Sequence, residues 1–126
     1  RYTTVGGIPI TQLMSEDRIE AISARTAGGG GEIVKLLERG SAFYAPGSAA
    51  AIMAEAVLND RRRVIPASCY LTGQYGLEDV YIGVPCILGA NGVETIFELD
   101  LSDAELESLQ GSANFYKGQL KDILGY

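Results

Sequence analysis

Residues 28–60 constrain the fold of this chain most tightly, because two helical segments flank a corner of glycine, proline and aromatic residues. The stretch reads GGGGEIVKLLERGSAFYAPGSAAAIMAEAVLND. Apolar residues recur at three- and four-residue steps on both sides of the corner, which predicts a short amphipathic helix and then an alanine-rich helix over residues 48–60. The corner, residues 40–47, has a composition typical of a fixed backbone shape. Both helices need a partner surface, and we expect recognition or chemistry at the corner.

Four consecutive glycines at positions 28–31 interrupt a longer helical pattern. Upstream of them, Ser15 can cap a helix that extends to about Thr26, with Glu16 and Asp17 in the first turn, where the helix dipole favours negative charge. The glycines lack the spaced G-x-G-x-x-G pattern of a phosphate-binding turn. They are therefore predicted to break or kink one long helix into two, or to let another backbone approach closely.

The C-terminal half of the chain is dominated by strand patterns. Residues 64–71 and 93–99 alternate in polarity, residues 80–88 are apolar on both faces, and short turns join the three runs. This predicts three antiparallel strands with the second in the centre, the last two joined by a turn at Asn91-Gly92. A shorter β-prone run occupies residues 1–5, and a chain that begins within a strand is expected to be a fragment.

The last element is the clearest helix in the sequence. Ser102 and Glu105 have the spacing of a capping box. An apolar stripe follows at three- and four-residue steps and continues to Leu124. Helices combined with strands that must be antiparallel predict the α+β class, here an antiparallel sheet covered by helices.

Length and charge exclude several function classes. A chain of 126 residues is expected to form one domain, and its net charge of -6 makes nucleic acid an unsuitable partner. No apolar run approaches the roughly 20 residues that a membrane-spanning helix needs, and the first residues do not resemble a secretion leader. We therefore expect a cytoplasmic protein with no membrane partner.

The side chains that usually carry chemistry are few. Cys69 and Cys86 lie in apolar runs and are too far apart in sequence for a metal motif, so we expect buried, reduced thiols and no metal site. Histidine is absent, which removes the commonest general base and metal ligand. Carboxylate pairs such as Glu78 and Asp79 are expected to be solvated surface charges. Residue-level reasoning alone gives no catalytic residue.

Several segments of the sequence resemble a known family. They are RYTTVGGIPI at residues 1–10, GGEIV at 30–34, GSAFYAP at 40–46, GQYG at 73–76, VYIGVP at 80–85 and LGANGVE at 88–94. In this order they are similar to the C-terminal half of bacterial malate dehydrogenases of the lactate-dehydrogenase-like type. The resemblance extends over essentially the whole chain. It implies that residues 1–126 are the substrate-binding domain of such an enzyme, a fragment without its N-terminal NAD-binding domain.

The resemblance also implies an activity for the complete enzyme. In this family NAD oxidises L-malate reversibly to oxaloacetate, a reaction of the tricarboxylic acid cycle, and a histidine takes the hydroxyl proton. The histidine and the arginines that clamp the substrate belong to the missing half. Accordingly neither Arg1, Arg25 nor the arginines at 61–63 are assigned to them, and this chain alone is expected to be inactive.

What the family implies for this chain is a binding role at the corner and a role in assembly. Ser41 and Ala42 would face the substrate, and Pro46 would lie against the nicotinamide ring of NAD. A small side chain leaves room for a second carboxylate, and a rigid apolar ring forms a dry wall. Without the resemblance these residues could merely fit the turn. The family also implies a homodimer or homotetramer, with the alanine-rich helix at a subunit interface.

Three functions remain open on the sequence. The first is the substrate domain of a malate dehydrogenase, which pairs with the N-terminal NAD-binding half of the same enzyme. The second is the same domain of a lactate or other 2-hydroxyacid dehydrogenase, for which threonine is typical at the position of Ala42. The third is a non-catalytic, oligomerising interaction domain that assembles through its apolar helices.

Overall fold

The chain divides after Ser48 into two structural units, Arg1–Ser48 and Ala49–Tyr126. The computed structural model describes residues 2–125, so Arg1, the first residue of the predicted opening strand, lies outside the described residues. The fold is α+β, as predicted, with two antiparallel sheets and three α-helices among the described residues.

The first unit opens with a small hairpin. Strands β1 (Thr4–Val5) and β2 (Ile8–Pro9) pair in antiparallel register. Gly6 and Gly7 form the turn with φ values of 58° and 83°, a conformation that glycine adopts without steric cost. A short 3-10 turn, Ile10–Gln12, leads from the hairpin towards the first helix.

Helix α1 (Glu16–Leu37) is one continuous helix of 22 residues, so the predicted break at the four glycines is wrong. None of the glycines at positions 28–31 has a positive φ. Each costs about 1 kcal/mol relative to alanine, which weakens a helix without ending it when both flanks are helical. Arg25 pairs with Glu32 across the glycine segment, with 3.1 Å between Nη2 and Oε1. The alternative, close approach of another backbone, stays open because the space beside all four glycines is empty.

Helix α2 (Tyr44–Leu58) begins four residues earlier than the predicted start at residue 48. Proline is accepted in its first turn because the N–H groups there have no intrahelical partner. The helix turns one side inward, with Ala56 fully buried and three larger apolar residues half-buried; these are Ile52, Met53 and Val57. Its alanines at positions 49–51 and 54 are exposed, which is the division of faces that an alanine-rich helix with two partners would show.

The second unit contains a three-stranded antiparallel sheet in the order β3 (Arg63–Thr72), β4 (Glu78–Gly89), β5 (Gly92–Ile96). The central position of β4 confirms the prediction. Strand β5 ends three residues before the predicted end at residue 99. In the β4–β5 turn only Gly92 has a positive φ, 87°, and the register shifts beside it between Ile87 and Leu88.

Helix α3 (Asp103–Leu124) covers one face of this sheet. Ser102 and Glu105 form the predicted capping box: the Ser102 backbone N–H donates to Glu105 Oε2 at 2.8 Å, and the Glu105 N–H donates to Ser102 Oγ at 3.4 Å. Ala113 is fully buried on the helix. The core consists of this residue and the inward side chains of the sheet and its first turn: Ala67, Cys69, Leu71, Tyr75, Leu77, Val80, Ile82, Val84 and Cys86. Burial of such apolar area stabilises the fold by roughly 25 cal/mol per Å².

Tyr75 joins three parts of the second unit. It lies in the turn between β3 and β4 with a left-handed backbone (φ 56°, ψ 20°) and is 7% exposed. Its hydroxyl donates to the Phe97 carbonyl at 2.8 Å and accepts from the Leu99 N–H at 2.9 Å. Its own carbonyl accepts from Gln110 Nε2 on α3 at 2.9 Å. These bonds hold the segment after β5 and the helix α3 against the same turn.

A second set of polar contacts fixes the β4–β5 turn. Asp60 Oδ1, just beyond α2, accepts from the Ala90 N–H at 2.9 Å, and Arg62 Nε pairs with Glu94 Oε2 at 2.7 Å. The two carboxylates converge on Gly89, where an added Cβ would lie 2.9 Å from Asp60 Oδ1 and closer still to Glu94. Only glycine fits this position without displacing them.

Replacing Tyr75 with phenylalanine tests the importance of its hydroxyl. The change leaves the Leu99 N–H and the Phe97 carbonyl without their partner, so we expect the free energy of unfolding to fall by about 1–3 kcal/mol. Urea unfolding followed by far-UV circular dichroism measures it. Tyr81→Phe is the control, because that ring is 66% exposed and should change stability by less than about 0.5 kcal/mol. Equal stability of the two variants would contradict the role given to Tyr75.

Candidate functional site

The corner between α1 and α2, residues 38–43, is fixed by two left-handed residues. Glu38 ends α1 with φ 59°, and its N–H donates to the Val34 carbonyl at 3.1 Å. Gly40 follows with φ 88°, and a Cβ there would lie 3.3 Å from the ring of Phe43. Residues 41–43 then have no regular secondary structure before α2 begins. The irregular segment is therefore shorter than the predicted corner at residues 40–47, because residues 44–47 are helical.

The three predicted binding residues lie on either side of the start of α2. Ser41 and Ala42 are in the irregular segment before the helix, and Pro46 is the third residue of α2. Ser41 and Pro46 are exposed and Ala42 is half-buried. Gly47 has the first backbone N–H of α2 that bonds along the helix; it donates to the Phe43 carbonyl at 2.9 Å. The N–H groups of Tyr44 and Ala45 therefore have no carbonyl to bond within the helix, and this end of α2 favours an anionic group.

Two aromatic side chains flank the corner, and the sequence had marked them only by composition. Phe43 is 65% exposed and Tyr44 is 93% exposed. Adjacent exposed aromatics next to a proline ring form an apolar surface that a ligand or a partner can cover. The signal for them in the sequence was weak, because Phe43 lies outside the helix and Tyr44 is on an exposed side of its first turn.

Three of the arginines that were not assigned to substrate binding form ion pairs within this chain. Arg25 pairs with Glu32, Arg61 with Glu55 at 3.2 Å, and Arg62 with Glu94. The hydrogen bond and charge of Glu32 raise the pKa of Arg25, and the same contact lowers the pKa of Glu32. These guanidinium groups are therefore already engaged with carboxylates of this chain.

The two cysteines are buried, free thiols, as predicted. Cys69 is 1% exposed and Cys86 fully buried. Burial, together with the neighbouring Cys86 thiol, raises the pKa of Cys69 to about 11. The thiol is therefore neutral near pH 7 and is a poor nucleophile.

Residues 2–125 contain neither a metal-binding cluster nor a helix able to span a membrane. No group of three or more histidine, cysteine, aspartate or glutamate side chains among them is arranged to hold a metal ion. In the same residues, no helix combines the length and the apolar character needed to cross a bilayer.

The chain matches a family of known domains over nearly its full length. Residues 2–125 match the family model described as the lactate/malate dehydrogenase, alpha/beta C-terminal domain. The chain belongs to this family. The resemblance of the corner, the glycine segment and the strand turns to this family is thus confirmed.

Individual relatives of this family member are malate dehydrogenases. The chain is 56% identical over 113 residues to the malate dehydrogenase of Roseiflexus sp. (strain RS-1), covering 90% of this chain and 37% of the relative. It is 61% identical over 114 residues to the malate dehydrogenase of Thermomicrobium roseum, a match that covers 90% of this chain and 37% of the relative. The chain therefore spans well under half the length of the curated relatives it matches.

Solved structures give the same assignment for the fold. Malate dehydrogenase from Salinibacter ruber superposes with a TM-score of 0.94 at 52% identity, covering 98% of this chain and 40% of that one. Lactate dehydrogenase from Eimeria maxima, solved with NADH and oxamate, superposes with a TM-score of 0.93 at 45% identity. The match covers 99% of this chain and 40% of that one.

Proposed function

We propose that this chain is the substrate-binding domain of an NAD-dependent malate dehydrogenase, which in its complete form oxidises L-malate reversibly to oxaloacetate. The observation that carries the proposal is the identity of 50–61% to malate dehydrogenases along nearly all of the chain. The proposal assigns the remaining length of those relatives to an N-terminal half that would bind NAD and supply the catalytic histidine, as the family resemblance implies. A cytoplasmic location is part of the same proposal.

The corner residues have the properties that the proposed role requires. Ala42, half-buried and small, leaves room for the second carboxylate of malate, and Ser41 lies exposed beside it. The free N–H groups at the start of α2 favour a negatively charged substrate at this position. Pro46 presents an exposed ring in the first turn of the helix. It would form one wall for the nicotinamide ring and keep water from that side.

NAD, when bound, supplies the acceptor for the hydride that leaves C2 of malate. The part played by this chain is to orient the substrate and to shape a dry pocket. In the family that the chain resembles a histidine takes the hydroxyl proton, and this sequence contains none, so the proposed base lies outside this chain. Residues 1–126 thus provide half of an active site, and the N-terminal half of the same enzyme is their proposed partner.

A lactate or other 2-hydroxyacid dehydrogenase is the second candidate. The close superposition on the lactate dehydrogenase from Eimeria maxima favours it. Ala42 favours malate over lactate, because the larger threonine typical of lactate enzymes would fill the space that a second carboxylate needs. Comparison of malate and lactate as substrates of the complete enzyme separates the two.

The exposed apolar surface supports a homodimer or homotetramer. None of the described residues of the first unit is buried. Helix α1 exposes large apolar side chains on one stripe, among them Ile33 at 44% and Leu36 at 76%. Soluble proteins rarely leave such stripes uncovered. The N-terminal half and a neighbouring subunit are the partners we propose for these surfaces, with the exposed alanines of α2 at the subunit interface.

The activity itself gives the first test. The 126-residue chain alone should form no NADH from malate and NAD, because it contains neither a general base histidine nor a dinucleotide-binding turn. The complete protein should form NADH with malate and much less with lactate. Turnover by the purified chain, free of complete enzyme, would contradict the proposal that the N-terminal half supplies the NAD site and the catalytic base. A complete protein inactive towards both substrates would favour the non-catalytic interaction domain.

Replacement of Ala42 tests the corner. In the complete enzyme, Ala42→Leu should exclude the second carboxylate and lower kcat/KM for malate by about 1–3 kcal/mol of transition-state binding, the range for changes in pocket size. Ala104→Leu, the same change at an exposed position in the first turn of α3, is the control and should leave kcat/KM unchanged. An unchanged malate rate in Ala42→Leu would return the corner to a purely structural role.

The proposed subunit interface is tested by adding a charge to α2. Ala54→Glu or Ala50→Glu places an unpaired carboxylate on the exposed alanine face, which costs several kcal/mol if that face is dry in the assembly. The measurement is the mass in solution by light scattering, compared with the parent and with Ala104→Glu at matched concentration. A folded variant that keeps the oligomeric mass of the parent would place the interface elsewhere.

A further inference from the structure

A groove in the second unit lies outside the corner and has a different chemistry. Its volume is about 520 Å³, within the range of small-molecule sites. It is bounded by strands β3 and β4 on one side and the last two turns of α3 on the other. Its lining residues, which define the tyrosine–lysine groove, are Tyr70, Asp79, Tyr81, Lys117, Leu120, Lys121 and Leu124.

The strand side of the groove is aromatic. Tyr70 and Tyr81 are cross-strand partners in the β3–β4 ladder. Their ring centroids are 5.2 Å apart with an interplanar angle of 49°, and the residues are 45% and 66% exposed. The Tyr70 hydroxyl donates to Asp79 Oδ1 at 2.6 Å, which fixes the ring of Tyr70. A flat ring can therefore stack on a surface whose geometry is already set.

The helix side of the groove is cationic and apolar. The chain has three lysines, and two of them, Lys117 and Lys121, line this groove one helical turn apart. Residues at this spacing lie on the same face of a helix. Within the described chain neither lysine has a carboxylate within ion-pair distance, in contrast to Arg25, Arg61 and Arg62. Leu120 and Leu124 lie beside them and are 48% and 51% exposed.

We propose that the tyrosine–lysine groove binds a small aromatic phosphate of mononucleotide size. The ring of the ligand stacks on Tyr70, with the tilted ring of Tyr81 against its edge, and its doubly charged phosphate lies between Lys117 and Lys121. Two ammonium groups match the charge of one phosphate better than that of a single carboxylate, and lysine binds phosphate as a point charge. The groove uses none of the corner residues, and its proposal does not rest on the proposed function.

Asp79 gives the site a direction. Its carboxylate lies at the strand side of the groove, bonded to the Tyr70 hydroxyl, and repels an anion. The phosphate must therefore lie at the helix side, with the uncharged ring towards Asp79. Removal of this negative charge should strengthen the binding of an aromatic phosphate, whereas removal of either lysine should weaken it.

The test is titration of the 126-residue chain with 5′-AMP, followed by amide chemical shifts in heteronuclear NMR. We expect shifts at Tyr70, Tyr81, Lys117 and Lys121, and saturation at millimolar concentration. Adenosine and inorganic phosphate, tested separately at equal ionic strength, should each bind at least about tenfold more weakly, because each makes only one half of the contacts.

Three variants test the expected direction of each change in AMP affinity. Lys117→Gln/Lys121→Gln should weaken AMP binding by about tenfold or more, and Asp79→Asn should strengthen it. Lys35→Gln, which removes the third lysine, at the end of α1, is the matched control and should leave the affinity unchanged. An equal loss in Lys35→Gln, equal binding of phosphate and AMP, or no shifts at the four residues would each overturn the proposal. Amide spectra without ligand confirm that each variant is folded.

Discussion

Tyr75 is the residue on which the second unit depends most. Beyond the β3–β4–β5 ladder, the backbone of the segment after β5 has one bond to β4, from the Phe97 N–H to the Pro85 carbonyl at 2.9 Å. Tyr75 adds contacts from the β3–β4 turn, because its hydroxyl bridges the backbone of Phe97 and Leu99 while its carbonyl accepts from Gln110 on α3. It does this from a left-handed conformation that costs a non-glycine residue about 1–3 kcal/mol. The bonds and the burial of the ring offset that cost.

Local signals in the sequence predicted the elements of the second unit well. Strand alternation, the capping box at Ser102 and the central position of β4 all depend on residues close in sequence. The role of Tyr75 could not be predicted, because its partners lie 22 to 35 residues away. The predicted break in α1 was wrong because it rested only on the low helix propensity of glycine, whereas a helix with two stable flanks tolerates glycine. The predicted start of α2 was four residues too late because Pro46 was assigned to the corner, whereas proline is acceptable in the first turn of a helix.

The corner was identified in two steps of different kind. Its composition predicted a fixed shape, and Glu38 and Gly40 have left-handed backbone conformations there. The roles proposed for Ser41, Ala42 and Pro46 rest on the family resemblance, since nothing in a serine, an alanine and a proline specifies a substrate. A binding site whose wall is made of small and apolar groups leaves little chemical signature in a sequence. Its specificity depends on space, which becomes visible only in three dimensions.

The glycine segment of α1 has a consequence for the dynamics of the first unit. Four glycines lower the intrinsic helix stability by about 4 kcal/mol relative to alanine, and no described residue of this unit is buried to compensate. An isolated helix of this composition would open often, and its amide protons would exchange quickly. With the proposed partner on its apolar stripe, docking and formation of α1 would be one cooperative event. The order of the first unit would then report whether that partner is bound.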